Sequence, residues 1–404
     1  MSRRRVTVLV VVVLLSVLLG ASRAASPATM TFIFSDNAEN DFAVRGWLDA
    51  GSLFQRNFRA AGQQWGDLIG SPANFTVHVI ADRTRPRFGG GTTLGRQVGV
   101  SAGGLSIWEF GPLTKILTGA NPGAAFGDGF DMSVHVNSLF LDQFYWLDTN
   151  PETRGDPVPR GRTDLVSIVM HELGHSLGFA PARSQVRDAT YGLLTRGFEN
   201  VYDSWTSFGG DGSWRDAAGM PNPMFFNGPE STMVYGAGPV PLTNVPLSDP
   251  RSSQNFAHLG QCGDPDILSK SLMNGCSVPT DGTRMEITEV DVAVLADVGY
   301  PLNAIYFPTS GQLHFAVKVG ATMFGVRIHT NRPDGLLELA GVSASARASS
   351  DVSYDAATGT LRLPALVVAG EADHAVYSID LRIVSSDPIL FTLSRADVAS
   401  PGAR

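Results

Sequence analysis

Apolar and polar residues alternate in three short segments of the first third of the chain, which predicts β-strands at 30–34, 75–80 and 131–137. A helical spacing of apolar residues predicts a long helix within 42–69. It predicts a shorter, strongly apolar helix at 163–178, with Thr163 or Asp164 as its cap. The Gly-rich stretch 88–104 predicts a surface loop.

The pattern changes twice further along the chain. Residues 180–255 are rich in Gly, Pro, Asn and Asp and show little periodicity, which is typical of a long insertion. A helix is predicted at 288–298, where a capping-box-like sequence begins at Thr288. Beyond it, short alternating segments predict strands at 336–342, 360–367 and 376–383. These patterns predict an α+β domain over 26–302 and a small all-β, sandwich-like domain over 303–404.

The N-terminus has the order of charges and apolar residues that is typical of a secretory signal peptide. Three arginines at 3–5 precede an apolar run at 6–20 and small residues at 21–25. The run of about 15 residues is shorter than the roughly 20 that span a bilayer, so we expect no stable membrane insertion after cleavage. The signal peptide is predicted at 1–25, by the general or the twin-arginine export route, and the mature protein is expected to be secreted or periplasmic.

Composition narrows the functional classes. Hydrophobic residues make up 43% and charged residues 17% of the chain, which is typical of a folded protein. The net charge is −8, and no basic run follows the first few residues. A nucleic-acid partner is therefore not expected.

One short motif carries metal chemistry: His171-Glu172-Leu-Gly-His175, on the predicted helix 163–178. Residues four apart lie on one face of a helix, so both imidazoles can bind one Zn²⁺ ion. Glu172 lies beside them and could accept a proton from a metal-bound water as the general base of a peptidase.

A catalytic zinc ion usually has a third protein ligand. The longer form of the motif would place a histidine at 181, but that residue is Pro181. The only histidine between His175 and residue 300 is His258, which follows the insertion. Glu199 is a rival ligand. It follows His175 by 199 − 175 = 24 positions, which is near the spacing expected if a glutamate on a following helix binds the metal.

The chain resembles the metzincin metallopeptidases, and within them the leishmanolysin-like group. The resemblance rests on 171–179, 257–259, 271–274 and 290–300, and the same layout is similar to exported bacterial zinc peptidases. It implies a zincin-type α+β domain with a mixed twisted sheet and an active-site helix.

The resemblance also implies individual roles. His258 would be the third ligand, Met273 the methionine beneath the metal, and Gly178 the glycine where the chain turns away after the helix. The sequence departs from the family pattern because no tyrosine stands near Met273 to serve as a metal ligand. We also see no room for a long pro-segment.

Cys262 and Cys276 are the only cysteines, and they flank Met273. In an oxidising compartment we expect a disulfide that closes this short loop, with two free thiols or thiolate ligation as alternatives. The Asp- and Gly-rich loops are also compatible with bound calcium.

These observations predict a secreted zinc metalloendopeptidase that acts on proteins or peptides. The strand 131–137 could be an edge strand that pairs with an extended substrate, or an internal strand. Alternatives are a non-catalytic binding protein on the same fold, or an adhesion function for the C-terminal β domain.

Overall fold

The computed structural model describes residues 27–84, 88–122, 129–185, 190–194, 196–210, 222–236, 238–246, 248–260, 267–275, 282–319, 321–345, 352–355, 357–369 and 375–398. The predicted signal peptide and both cysteines, Cys262 and Cys276, lie outside these residues. The chain divides into two compact units. The larger comprises Thr29–Gly66 and Ala73–Val298, and the smaller includes Asp67–Pro72 and the described residues from Gly299 onward.

The α-helices among the described residues are α1 (Leu53–Leu68), α2 (Gly111–Thr118), α3 (Ser138–Phe144), α4 (Leu165–Leu177), α5 (Pro229–Tyr235) and α6 (Glu289–Asp297). Short 3₁₀ helices lie at Ala43–Arg45, Asp203–Trp205, Pro250–Gln254 and Ile267–Lys270. None of the helices in the described part of the chain is long and apolar enough to cross a membrane.

The long helix predicted within 42–69 begins only at Leu53. Residues Ala43–Arg45 form a separate 3₁₀ turn, and Gly46 and Gly51 follow it with φ of 67° and 77°. This left-handed backbone cannot continue a right-handed helix, so the two glycines break the apolar pattern into two pieces.

The larger unit contains strands β1 (Thr29–Ser35), β2 (Asn74–Ala81), β3 (Phe88–Thr92), β4 (Leu94–Val100), β5 (Ser106–Phe110), β6 (Met132–Val136), β7 (Tyr145–Trp146), β8 (Thr163–Asp164), β9 (Phe198–Asn200), β10 (Thr206–Phe208), β11 (Met224–Phe226) and β12 (Val240–Pro241). The main sheet has the order β1-β2-β6-β3, with β1, β2 and β6 parallel and β3 antiparallel to β6. The sheet is therefore mixed, as predicted.

The edge strands of this sheet are β1 and β3, and β6 is not one of them. The segment 131–137 is an internal strand between β2 and β3, so of the two alternatives the internal one is correct. The prediction of a surface loop at 88–104 was wrong, because that stretch forms β3 and β4. Three consecutive glycines weaken any strand signal in the sequence, but a strand can retain them where another backbone approaches closely.

Helix α4 is almost entirely buried in the larger unit. Asp164 is its N-cap, and its carboxylate accepts a hydrogen bond from the backbone N–H of Ser167 at 3.1 Å. Trp65 on α1 is fully buried and donates its indole N–H to the carbonyl oxygen of Met170 at 2.8 Å. A buried helix of this kind keeps a fixed position relative to the sheet.

In the stretch predicted as an insertion, 180–255, the residues that the structure describes form only short elements. Strands β10, β11 and β12 form an antiparallel sheet, and two tyrosines in this stretch are fully buried. Tyr191 and Tyr202 donate their hydroxyls to the carbonyl oxygens of Ser252 and Phe256, each at 3.0 Å. These hydrogen bonds fix the segment that leads to His258.

The smaller unit contains β13 (Ala304–Phe307), β14 (Gln312–Val319), β15 (Thr322–His329), β16 (Leu337–Ala344), β17 (Ser353–Asp355), β18 (Thr360–Val368), β19 (Val376–Ser386) and β20 (Ile389–Val398). They form one eight-stranded sheet, in which β13 pairs with both β14 and β18, so the sheet closes on itself. Its core includes Leu313, Ile328, Leu363, Leu381 and Phe391. The all-β prediction is confirmed, but one closed sheet replaces the expected sandwich-like arrangement.

The cap of α4 gives a stability prediction. Asp164 also pairs with Arg154, and both side chains are largely buried. Asp164→Asn loses the charge but keeps a capping oxygen, whereas Asp164→Ala loses both. We expect the alanine variant to be less stable than the asparagine variant by about 1 kcal/mol in urea unfolding. Equal stability of the two variants would contradict the role of the cap.

Candidate metal centre

His171 and His175 lie one turn apart on α4. Every other side chain of α4 is buried, and these two are partly accessible. The helix therefore exposes one small face, and that face carries both imidazoles.

His258 completes a group of three. It follows the 3₁₀ helix Pro250–Gln254, and it is 4% exposed. Its Nε2 lies 3.1 Å from Nε2 of His171 and 3.0 Å from Nε2 of His175. Among the described residues these three are the only group of His, Cys, Asp and Glu side chains close enough to share an ion. Glu199, the rival ligand, lies on β9 opposite Ile107 and is not in this group.

The second ring nitrogen of each histidine faces a backbone carbonyl oxygen. The Nδ1 atoms of His171, His175 and His258 lie 2.7, 2.6 and 2.8 Å from the carbonyl oxygens of Leu272, Phe179 and Gln254, respectively. A carbonyl oxygen only accepts hydrogen bonds, so each Nδ1 must carry the proton and donate. All three Nε2 lone pairs are then directed at one point.

Burial keeps these rings neutral. It lowers the pKa of His171 below 6.5, and together with the neighbouring His171 it lowers the pKa of His175 to about 3. The pKa of His258 lies well below 6.5, chiefly because of burial and then because of the other two rings. Neutral imidazoles with free Nε2 atoms are the protonation state that binds a metal ion.

The geometry fits a metal ion. Three nitrogens at about 2.0–2.1 Å from a tetrahedral Zn²⁺ would lie about 3.3–3.4 Å from one another. The distances from Nε2 of His258 to the other two Nε2 atoms, 3.1 and 3.0 Å, are within a few tenths of an ångström of that value. Without a cation, three converging lone pairs repel one another, so this donor set could hold a divalent ion that imidazole prefers.

Glu172 lies beside the group. Its side chain is 9% exposed, and its Oε2 accepts a hydrogen bond from the backbone N–H of Gly90 on β3 at 2.6 Å. A Cβ atom on Gly90 would lie 2.1 Å from the carbonyl oxygen of Glu172. Only glycine allows β3 to approach α4 this closely, so the edge strand holds the carboxylate in position.

Met273 lies under α4 and is fully buried. A Cβ atom on Gly174 would lie 2.4 Å from its sulfur atom, so the methionine packs directly against the helix backbone between the two histidines. Gly178 is the C-cap of α4, and a Cβ atom there would lie 3.3 Å from Val298. After it the chain turns so that the carbonyl of Phe179 reaches His175.

Asp291 on α6 holds the loop that contains Met273. Its carboxylate accepts hydrogen bonds from the hydroxyl of Ser271 and the backbone N–H groups of Leu272 and Met273. It also accepts two hydrogen bonds from Thr288, in the capping box of α6. Burial raises the pKa of Asp291, and these donors counteract the rise. Leu272 is thereby fixed at its N–H while its carbonyl orients His171.

Sequence reasoning missed two of these features. The sequence predicts the capping box at Thr288, but nothing along the chain links Asp291 to the loop at 271–273. It predicts a loop at Gly90, although a glycine run followed by an alternating segment is also a signal for close backbone approach.

Comparison of the chain with protein-family models, characterised proteins and solved structures finds no match. The chemistry of the site therefore carries the functional argument.

The hydrogen bonds of Asp291 predict a change in metal affinity. Asp291→Asn replaces one acceptor oxygen by an NH₂ group that faces other donors, so Leu272 and its carbonyl should shift. We expect zinc affinity to fall about 10- to 100-fold, as for other groups that orient a metal ligand. Asp297→Asn is the matched control, because Asp297 is also buried on α6 but accepts from Glu230 and Ser231. Equal zinc affinity of both variants in a chelator competition would contradict this role.

The neutral histidines predict a weak pH dependence of zinc binding. In a site of three imidazoles with the ordinary pKa of 6.5, the affinity for zinc would fall about 50-fold between pH 7.5 and pH 6.0. The reason is that each protonated imidazole must release its proton before it can bind the ion. With the pKa values lowered, the folded metal-free protein should lose less than about fivefold over that range. Competition titrations at both pH values measure this, with circular dichroism as the control for folding. A loss near 50-fold would show that the rings are protonated at pH 6.0.

Proposed function

We propose that the protein is a secreted zinc-dependent endopeptidase. One observation carries the proposal: three unprotonated Nε2 atoms converge, and the residue that follows His171 on α4 is Glu172, a carboxylate that is not in the group of three. A site that only held a metal for stability would have no use for that carboxylate.

Zinc is the ion that we infer from the donor set. Three histidines leave one coordination position for water or substrate, which is the pattern of catalytic and not of structural zinc sites. When bound there, zinc would lower the pKa of a water molecule and polarise the scissile carbonyl group.

Glu172 would act as the general base and then as the general acid. Its Oε2 accepts the hydrogen bond from Gly90, which holds the carboxylate, and the carboxylate would accept a proton from the attacking water. Glu172 then passes this proton to the amine nitrogen as the peptide bond breaks. The three Nδ1–H···O=C hydrogen bonds hold the imidazoles still during both transfers.

The substrate would pair with the edge strand β3. Thr93 donates its N–H to the carbonyl oxygen of Asp131, towards β6, and successive residues of a strand point to opposite sides. Gly90 therefore directs its peptide groups away from β6, and its N–H is bound to Glu172 on that outer edge. An extended peptide could add there as a further strand and bring a peptide bond to the metal.

The leishmanolysin-like metzincin relationship is part of the same proposal. It is supported by the long stretch of chain between His175 and His258 and by the packing of Met273 against Gly174. The predicted signal peptide adds an exported location, where the substrates would be extracellular or periplasmic proteins and peptides.

The decisive experiment compares zinc content and casein hydrolysis of four forms of the mature protein. Wild type should bind about one zinc ion and cleave casein. His258→Ala should lose zinc and activity, whereas Glu199→Ala should keep both. Glu172→Gln should keep zinc but lose at least a hundredfold in kcat, because only proton transfer is removed.

Each other outcome has a defined meaning. Hydrolysis that survives Glu172→Gln would contradict the proposed mechanism. Loss of zinc in Glu199→Ala alone would assign the third ligand to the glutamate. A wild type that binds zinc and cleaves nothing would support a non-catalytic binding protein.

A further inference from the structure

Phe256 has a backbone conformation that its size makes unfavourable. It is one of three non-glycine residues with a positive φ in the described part of the chain, at 72°, and its side chain is fully buried. A bulky residue rarely adopts this left-handed conformation, because its Cβ atom approaches the backbone too closely. Such strain persists only where the surrounding structure holds the residue in place. Phe256 lies two residues before His258, so the groups that hold it also act on the third histidine.

Two hydrogen bonds hold the backbone of Phe256. Its N–H donates to the carbonyl oxygen of Thr243 at 3.1 Å, and its carbonyl oxygen accepts from the hydroxyl of Tyr202 at 3.0 Å. Tyr202 is fully buried, and burial, followed by the charge of Asp203, raises the pKa of its hydroxyl. The hydroxyl therefore keeps its proton and donates it to the strained peptide.

A four-residue turn, 200–203, contains this tyrosine and is closed by its own side chains. The backbone N–H of Asp203 donates to Oδ1 of Asn200 at 2.9 Å, and the N–H of Asn200 donates to Oδ2 of Asp203 at 3.2 Å. Both residues are 3% exposed. Val201 donates its N–H to the carbonyl oxygen of Trp108 on β5 at 3.0 Å, so the turn is also fixed to a neighbouring strand.

The same turn holds the chain that follows α4. The side-chain amide of Asn200 donates to the carbonyl oxygen of Ala180 at 2.6 Å, and Oδ2 of Asp203 accepts from the N–H of Ala182 at 2.8 Å. Burial raises the pKa of Asp203 to about 6, so the carboxylate is ionised at neutral pH and can accept these bonds. The carbonyl group that orients His175 lies immediately before these two alanines.

The turn 200–203 is therefore bonded to the chain on both sides of the candidate metal centre. On one side it fixes the segment after His175, and on the other it fixes the segment before His258. The Nε2 atoms of these two histidines lie 3.0 Å apart, a separation that suits two ligands of one ion. A single element that binds both segments can maintain this separation.

We propose that the turn 200–203 is a positioning element that fixes the separation of His175 and His258, and that the strain at Phe256 is retained for this role. The segment would then serve the metal centre through its hydrogen bonds, without contributing a ligand. The inference rests on the proposed function, because it treats both histidines as ligands of zinc.

The first test measures zinc affinity of Tyr202→Phe and Asn200→Ala by chelator competition. Tyr202→Phe removes only the hydroxyl that holds Phe256, and Asn200→Ala removes the donor to Ala180. Each should lower the affinity about tenfold, the size expected when a group that orients a metal ligand is lost. Glu199→Gln is the control for location, because Glu199 immediately precedes the turn, and it should bind zinc as wild type does.

Asn57→Ala is the control for burial. Asn57 is fully buried in the same unit, and its side chain exchanges hydrogen bonds with the backbone of Leu53 and Asp148, away from the three histidines. It should lose stability in urea unfolding without losing zinc affinity. A loss of affinity equal to that of Asn200→Ala would show that any buried defect has this effect, and would overturn the proposal.

NMR of the metal-free protein, labelled with ¹⁵N at histidine, separates positioning from a general loss of stability. Asn200→Ala should weaken the Nδ1–H signal of His175, and Tyr202→Phe that of His258, whereas the signal of His171 should stay unchanged in both. Unchanged signals, or equal weakening of all three, would overturn the proposal. A wild type that shows this pattern but cleaves nothing would contradict the endopeptidase function and still support the positioning role.

Discussion

The candidate site depends on three hydrogen bonds that orient its histidine rings. They run from the Nδ1 atoms of His171, His175 and His258 to backbone carbonyl oxygens. A carbonyl oxygen cannot donate, so each bond fixes both the ring orientation and the position of the proton. The Nε2 lone pairs are then forced to converge within about 3 Å of one another. Such an arrangement is unfavourable by itself and would become favourable around a cation, so the three histidines could hold a metal ion.

Three separate parts of the larger unit supply the three carbonyl groups. Phe179 follows the end of α4 directly, after the turn at Gly178. Leu272 is fixed by the carboxylate of Asp291 on α6. Gln254 belongs to the segment whose neighbouring carbonyls accept from two buried tyrosine hydroxyls. The long stretch between the second and third histidines therefore holds the imidazole of His258 in position.

The same constraint connects the metal centre to the edge of the sheet. Because Gly90 lacks a side chain, β3 approaches α4 closely enough for its N–H group to bind Glu172. One backbone segment thus orients the proposed base.

The sequence by itself determined what depends on near neighbours. The spacing of His171 and His175 places them on one helical face, a cap at Thr163 or Asp164 starts that helix, and the alternating segments form strands close to the predicted bounds. Tertiary structure alone decided the rest. It brought His258 rather than Glu199 to the histidine pair, made a glycine run the edge strand, and closed the C-terminal sheet on itself. These outcomes depend on hydrogen bonds and packing between residues far apart in the chain, and such contacts leave no periodic signal in the sequence.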